Sequence, residues 1–455
     1  MKTDFCGHLT TLQDAPALEA WDKTILEFLA HSASTPDYLA KVLDLAPDFA
    51  LGHAVKGLFY VLLGRRELLC VAEQAHQTAT NAVREGHVTE RERLYVDALG
   101  AWLDGRPSEA VHSLETVLRS HPTDALAMKL SHAIRFVLGD AGGMRRSIER
   151  ILPAYEHDHA AKGYLLGCQA FALEETGAYQ SAEIAGRQAL WLAPNDAWGL
   201  HAVAHVHDMT ANAAKGLDWL TGREAAWAHC NNFRYHVWWH KALMHLDLGQ
   251  TEEVLDLYDE EIRKEHTDDY RDISNATSLL MRLELDGVNV GDRWEELSEL
   301  CAERTEDGCL IFADLHYLMA LTGDKRPDAS ARLLQRIARD AKSNSEMGSR
   351  MSDPGVAASS GLEAFGEQRY DDAFAKLTQA RDGMQRAGGS HAQRDVFERI
   401  TIDAGIRAGK LDEAEALLDD RQKMRAGRED GYTAARRSLI EIGRGGSDTV
   451  VVPAE

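Results

Sequence analysis

The sequence has few cysteines and no stretch long enough to cross a membrane. Its six cysteines include no CxxC pair, which argues against a structural zinc site on thiolates and indicates reduced, mostly buried thiols. No apolar run approaches the roughly 18 residues of a transmembrane helix. Residues 1–10 also lack the charged-then-apolar pattern of a signal peptide. We therefore expect a cytoplasmic protein.

Proline and positive charge are also scarce. Only ten prolines occur among 455 residues, apolar residues recur at helical spacing, and no sustained alternation of period two is present. The sequence therefore predicts an all-α protein. The formal net charge of −23 would repel a nucleic-acid backbone or an anionic membrane surface, so neither is expected as the main partner.

A recurring pattern of glycine, alanine and proline predicts repeated helical hairpins. In one copy, Gly177 is followed by Ala182, Ala189 and Pro194, which is the second half of a tetratricopeptide repeat. The glycine permits the turn between helices A and B, the alanines allow close approach, and the proline ends helix B. Further copies begin at Gly64, Gly105, Gly139, Gly249 and Gly409. Copies in register predict a tetratricopeptide-like α-solenoid, here curled into a closed superhelix.

The repeat pattern divides the chain into five segments. Residues 1–35 form an N-terminal helical cap, and residues 36–266 form repeats whose central A helices are rich in histidine and tryptophan. The register is lost in residues 267–310, which we interpret as an irregular or variant repeat that bends the array. Residues 311–430 contain the C-terminal repeats, and residues 431–455 form a last helix and a flexible tail.

Histidines are concentrated on two adjacent A helices. His201 and His205 are four residues apart, as are His236 and His240, and the pairs are offset by 35 residues, about one repeat. Residues four apart share one face of a helix. We therefore expect the four imidazoles to lie on one concave wall, with Asp208 on the same stripe.

This polar group is expected to form a pocket walled by tryptophans, among them Trp198, Trp238 and Trp239. Two histidine pairs with Asp208 would suit Zn²⁺ or non-haem Fe²⁺. The same imidazoles could instead act as acid–base groups or bind an anion without a metal. They could also be polar residues of the concave face that have no chemical role.

Two later segments are candidates for the same pocket. One contains Asp314 and His316, which lie about 200° apart on a regular helix. In the other, Ser390 and Gln393 predict a capping box, and two preceding glycines leave the helix N-terminus open to an anion. The first turn of this helix supplies the pocket candidates His391, Arg394 and Asp395.

Several short motifs resemble those of the tetratricopeptide-repeat protein 38 family. They lie at residues 201–206, 238–240, 291–294, 314–316 and 389–397, and the last reads GSHAQRDVF. The resemblance covers roughly residues 15–425 and implies a soluble repeat protein, with little indication of activity. It also implies that Asp314, His391 and Arg394 belong to the pocket.

Two functions follow from these features. The first is an internal pocket that binds a small polar or anionic molecule, with metal-assisted or acid–base catalysis left open. Arg394 would hold a carboxylate or phosphate of that molecule, because its planar fork suits such anions. The alternative is an adaptor that docks peptides, a common task of tetratricopeptide arrays. The central helices carry His and Trp instead of the Lys, Arg and Asn expected in a peptide groove, which favours the small molecule. A homo-oligomer is compatible with either function.

Overall fold

The computed structural model describes residues 1–86, 88–156 and 158–445, and these residues are mostly helical, as predicted. The helices of the first half are α1 (Ala15–Leu29), α2 (Thr35–Leu45), α3 (Ala50–Leu62), α4 (Leu69–Arg84), α5 (Glu90–Leu103), α6 (Pro107–Ser120), α7 (Ala125–Val137), α8 (Ala141–Ile151), α9 (Lys162–Glu174), α10 (Tyr179–Leu192), α11 (Ala197–Met209) and α12 (Ala213–Leu220).

The second half continues in the same way. Its helices are α13 (Phe233–Asp247), α14 (Thr251–Leu257), α15 (Tyr270–Leu285), α16 (Arg293–Glu303), α17 (Ile311–Gly323), α18 (Pro327–Asp340), α19 (Glu346–Arg350), α20 (Val356–Gly366), α21 (Tyr370–Arg381), α22 (His391–Arg407), α23 (Leu411–Met424) and α24 (Gly431–Gly443). A π-helical turn, Tyr258–Ile262, extends α14, and a second, Met351–Gly355, joins α19 to α20.

Consecutive helices pack as A and B partners, and the A helices are the more deeply buried of the two. In helix B α10, only the stripe Ala182, Ala185, Gly186 and Ala189 is buried. In helix A α11, every residue except Asp208 is buried. A helix that is buried on all sides needs packing partners all round. The A helices therefore contact both their B partners and other inner helices.

The glycines of the sequence pattern occupy the turns between A and B helices. All six lie in left-handed backbone, with φ between +62° and +77°. Gly177, between α9 and α10, is one of them, and a residue with a Cβ is disfavoured there. Three other turns adopt the same conformation without glycine, at Ala211, Lys325 and Gln368.

Contacts between residues far apart in sequence close the superhelix. Arg65 Nη1 lies 2.9 Å from Asp268 Oδ1, 203 residues away. Arg425 Nη2 lies 2.8 Å from Asp208 Oδ1, 217 residues away. Helix α22 also packs against α15 and reaches α11. The array therefore curls until its C-terminal hairpins contact its central ones.

The ends and the middle of the chain differ from expectation in detail. The first 14 residues contain no helix; strands β1 (Lys2–Thr3) and β2 (Leu9–Thr10) pair antiparallel there. The 267–310 segment holds the helices α15 and α16. The flexible tail expected at the C-terminus falls on residues 446–455, outside the described residues. No helix of the described part is both long and apolar enough to span a bilayer.

Candidate functional site

Four imidazoles meet where α11 packs against α13. His201 and His205 project from α11, and His236 and His240 project from α13. One ring nitrogen from each lies within 4.8 Å of all the others. His201 Nε2 is 2.8 Å from His205 Nε2 and 3.1 Å from His236 Nε2. The structure thus brings together the two pairs whose proximity the 35-residue offset predicted.

Aromatic rings enclose this imidazole cluster. Phe171 stacks on His201 with ring centroids 5.7 Å apart, and Trp239 stacks on His236 at 5.2 Å. Trp198 lies 5.0 Å from the ring of His201. His201, His205 and His240 are buried, and His236 is half-buried.

The tryptophans of this region differ in burial. Trp198 is 9% exposed and Trp239 is 0% exposed, as expected for pocket walls. Trp238 is only half-buried. Trp191 is 75% exposed and lies on helix B α10, outside the buried stripe of that helix. The concentration of tryptophan in the sequence therefore overstated how many of these rings line the interior.

Burial decides the protonation of most of the cluster. It lowers the pKa of His236 to about 3 and holds the pKa values of His201 and His240 well below the usual value. These three rings are therefore neutral at pH 7 and carry a lone pair. Burial also acts to lower the pKa of His205, but the Glu174 carboxylate outweighs it and raises that pKa.

Among the described residues, several buried polar atoms in and beside the imidazole cluster have no hydrogen-bond partner of good geometry. Glu174 Oε2 lies 3.4 Å from His205 Nδ1, and among the described residues neither carboxylate oxygen has a hydrogen bond of good geometry. Both ring nitrogens of His240 also lack a hydrogen-bond partner within the part of the chain that the structure describes. His236 Nδ1 does pair with Asn275 Oδ1 at 3.0 Å. Because buried polar groups are normally satisfied, these atoms have unused capacity to bind a ligand.

The donor set of the cluster suits a transition-metal ion. Nitrogens that ligate Zn²⁺ tetrahedrally at 2.0–2.1 Å are about 3.3 Å apart, close to the measured separations of 2.8 and 3.1 Å. Neutral imidazole is the ligating form of histidine. Glu174 behind His205 matches the carboxylate that commonly orients a metal-bound histidine. The residues present therefore fit Zn²⁺ or Fe²⁺.

Asp208 does not join the imidazole cluster, contrary to the sequence prediction. Its carboxylate pairs with Arg425, at 2.8 Å. The prediction followed from helix periodicity alone, and Asp208 lies near the C-terminal end of α11, beyond the imidazoles and within reach of α23. The carboxylate nearest the imidazoles belongs to Glu174, on α9.

The N-terminus of α22 lies close to α9, and the anion that it contacts is a carboxylate of the protein itself. The predicted capping box of Ser390 and Gln393 is present. The backbone N–H of His391 donates to Glu175 Oε1 at 2.7 Å, and Arg394 Nη2 lies 3.5 Å from Glu175 Oε2. Burial would raise the pKa of Glu175, but His391 and Arg394 outweigh it and lower that pKa. Glu175 therefore occupies the anion position that the sequence assigned to a ligand.

Three further candidates lie away from the imidazoles. Asp314 is buried against Arg336, with Oδ2 2.8 Å from Nη1, and Asp395 is 2.7 Å from Arg421. His316 Nδ1 pairs with the carbonyl of Phe312 at 2.7 Å. Asp314 and Asp395 therefore bind arginines of neighbouring helices, because a buried carboxylate needs a charged or hydrogen-bonding partner.

Sequence reasoning missed several interior residues. Asn275 lies 35 residues after His240, as His240 lies 35 after His205, so the repeat offset could have found it. Glu174 and Glu175 end α9, and no spacing rule pointed to them. Arg282 is also buried, 1% exposed, with its guanidinium 5.5 Å from the Trp239 ring. One face of α15 thus carries both Asn275 and Arg282.

No family model matches this chain. Solved structures similar to it include the human IFIT1 dimer with m7Gppp-AAAA, with 16% identity over 94% of this chain and 100% of that chain, at a TM-score of 0.35. Yeast Tom70 has 12% identity over 94% and 96%, at 0.33. Naa15/Naa10 bound to HypK-THB has 14% identity over 94% and 66%, at 0.25. The helix pairs and the turn conformations of this chain identify it as an α-solenoid of tetratricopeptide-like hairpins.

Proposed function

We propose that the imidazole cluster binds a divalent transition-metal ion, Zn²⁺ or Fe²⁺, inside the superhelix. The observation that carries this proposal is the approach of four ring nitrogens to within 4.8 Å of one another. Two neighbouring helices each supply two of them, and the described residues provide no hydrogen-bond partner for either nitrogen of His240. A metal ion would satisfy these atoms together.

The chemistry of the bound ion depends on how many imidazoles ligate it. Four ligands would close the site and join α11 to α13, whereas three would leave one position for water or a substrate. A bound divalent ion supplies Lewis acidity. Glu174, whose pKa burial raises, is placed to hold or accept a proton beside His205. Metal-assisted catalysis is therefore part of the proposal for the three-ligand case.

We further propose that the small molecule accepted by this interior is anionic. Arg282 supports this choice, because it is buried and forms no ion pair among the described residues. Its Nη1 and Nη2 donate to the carbonyls of Ser278 and Ala392, and its Nε has no partner. Burial lowers its pKa to about 9, which still leaves it charged at pH 7. Arg282 replaces Arg394 as the proposed anion-binding residue.

The peptide-docking adaptor is retained as the second candidate. Helix arrays of this type are common protein-binding scaffolds. Helix A α11 is buried along almost its whole length, so a docked peptide would need a surface other than this inner wall. Membership of the tetratricopeptide-repeat protein 38 family is likewise a proposal, supported by the sequence motifs at 314–316 and 389–397.

Cobalt binding provides a direct test of the metal proposal. The full-length protein is stripped with a chelator and titrated with Co²⁺, whose visible absorption reports a low-symmetry site. We expect about one equivalent to bind, and His240→Gln to lose at least nine-tenths of the absorption. His245→Gln is the matched control, because His245 lies on the same helix but bonds Gln250 outside the cluster.

Circular dichroism establishes that each variant is folded, and His236→Asn provides a second test if His240→Gln is not. The metal proposal is wrong if wild-type protein binds no Co²⁺, or if both cluster variants bind it as well as His245→Gln does. Mass spectrometry of denatured wild-type protein tests the anionic ligand separately, with Arg282→Met expected to lose the co-purified molecule.

A further inference from the structure

A cleft on the outer surface lies on the opposite side of α11 from the imidazole cluster. It has a volume of about 740 Å³, within the range of small-molecule sites. Helices α10, α11 and α12 form its walls, and the connection between α23 and α24 contributes Ala426 and Arg428. The cleft shares none of the residues assigned to the metal proposal.

The lining of this cleft is cationic although the protein is strongly acidic. Its charged residues are Arg187, Lys215, Arg223 and Arg428 against Glu183 and Asp218. The formal net charge of the whole chain is −23. A concave positive site on a negative protein attracts anions locally, because the cleft walls focus the field of the cations.

Trp219 holds two of these cations in place. The guanidinium of Arg187 lies 4.5 Å from the ring centroid of Trp219, and that of Arg223 lies at the same distance. Arg187 also pairs with Glu183 at 2.8 Å. Because two guanidiniums contact the ring, Trp219 is poorly placed to stack on a nucleobase. Its role is to position the arginines.

The remaining two cations have no carboxylate partner among the residues that the structure describes. Lys215 and Arg428 are exposed and form no ion pair there. Lys215 lies in the first turn of α12, and no side chain caps that helix. Asn212 and Lys215, at this end of α12, line the cleft, and the helix dipole adds to the positive potential there.

A buried imidazole of the cleft also lacks a partner. His207 is 5% exposed, and its Nε2 makes no hydrogen bond within the described part of the chain. Burial lowers its pKa, and Glu183, Arg187 and Lys215 are the charged groups that act on it. His207 was excluded from the histidine wall by its direction on α11. The His207 ring forms part of the cleft wall, but its Nε2 is shielded from solvent, so we assign it no contact with a ligand.

We propose that this cleft binds a phosphate monoester dianion. Two features support it: an excess of cations in a cleft of small-molecule size, and a helix N-terminus without a side-chain cap beside Lys215. A dianion suits this lining better than a singly charged carboxylate, because Lys215 and Arg428 both line the cleft and neither forms an ion pair among the described residues. The phosphate belongs either to a metabolite or to a phosphorylated side chain of a partner protein.

Calorimetric titration at constant ionic strength tests this proposal on the full-length protein. The probes are inorganic phosphate, glycerol phosphate and a five-residue alanine peptide with a central phosphoserine. We expect saturable binding of at least one of them. The double variant Lys215→Ala/Arg428→Ala should bind it at least tenfold more weakly, because both free cations are lost. Both residues are exposed, so folding is expected to be unaffected.

A charge-matched variant separates a site from general electrostatics. Lys41→Ala/Arg332→Ala removes two exposed cations elsewhere and should leave the Kd within twofold of wild type. Tighter binding of glycerol phosphate assigns the cleft to a metabolite, and tighter binding of the peptide assigns it to a protein partner; either supports the proposal. Absence of saturable binding, or equal weakening in both double variants, overturns it.

Discussion

The carboxylate of Asp208 lies 2.8 Å from the guanidinium of Arg425, although 217 residues separate them in the sequence. Arg425 Nε also lies 3.2 Å from Asp430 Oδ2. Arg425 is 3% exposed, so the ion pairs are largely shielded from water. One arginine therefore connects the end of α23 to the helix that carries His201 and His205.

Removing this arginine should weaken closure of the superhelix. We expect Arg425→Ala to lower the free energy of unfolding by about 3 kcal/mol, because it leaves the buried Asp430 and the half-buried Asp208 with fewer partners. Urea denaturation measures the change. Arg93→Ala is the control, because Arg93 pairs with Glu90 on the surface, where solvent screens the interaction and the effect on stability is small. Equal effects of the two variants would contradict a special role for Arg425.

The carboxylate of Glu174 should influence metal binding, and that of Asp208 should not. Glu174 lies 3.4 Å from His205 Nδ1 and would orient that ring as a ligand. We expect Glu174→Gln to weaken Co²⁺ affinity about 10–100-fold, as for other residues behind metal ligands. Asp208→Asn should leave the affinity within twofold. If Asp208→Asn weakened Co²⁺ binding more than Glu174→Gln, Asp208 would belong to the metal site, as helix periodicity alone had predicted.

Turn glycines show why the sequence pattern misses some of the helical hairpins. Between Gly177 and Gly249 the sequence shows a gap of 72 residues, yet a turn of the same conformation lies at Ala211, with φ +51°. Lys325 and Gln368 occupy such turns later in the chain. The left-handed turn is therefore kept at positions where glycine is absent. A sequence pattern based on glycine misses these turns, although the helical hairpins continue.

Substitutions at these turns test that explanation. We expect Gly177→Ala to lower the free energy of unfolding by about 1–2 kcal/mol, since alanine is disfavoured in left-handed backbone. Ala211→Gly should relieve the same strain and raise it by up to about 1 kcal/mol. Gly139→Ala should cost more than Gly177→Ala, because its Cβ would lie 1.9 Å from the Gln385 carbonyl oxygen.

The measurement is urea denaturation of the three variants beside wild type, with the transition slope recorded. A Cβ at residue 177 would meet no atom within 4 Å, so Gly177→Ala isolates the cost of the backbone conformation. An equal loss of stability in Gly139→Ala and Gly177→Ala would mean that the backbone around Gln385 moves away from the new Cβ with no loss of stability.

The candidate site was predictable only where local periodicity determines position. The offset of 35 residues placed His201 beside His236, since neighbouring repeats stack. The pairing of Asp208 with Arg425 depends on how far the whole array curls, which small rotations at every hairpin decide. The same holds for Glu175, which reaches His391 from 216 residues away. Such contacts depend on the accumulated rotation between successive hairpins, which no single sequence motif determines.

Low pH should destabilise the C-terminal hairpins, because two aspartates there form ion pairs with one buried arginine. Arg421 lies 2.7 Å from both Asp395 and Asp430. Burial alone would raise the pKa of each aspartate, but Arg421 outweighs it and both pKa values are lowered. Their contribution to stability is complete above the unfolded-state pKa of about 3.9. It is lost as the pH falls towards the lower folded-state pKa values.

We therefore expect Asp430→Asn to be less stable than wild type at pH 6, and the difference to shrink as the pH falls from about 5 to 3. The unfolded chain takes up a proton at Asp430 in this range while the folded protein does not, so only wild type loses that stabilisation. Urea denaturation at half-unit pH steps measures the difference, with Asp395→Asn as an independent second variant. A difference that stays constant from pH 6 to pH 3 would show that the ion pair with Arg421 does not control the pKa of Asp430.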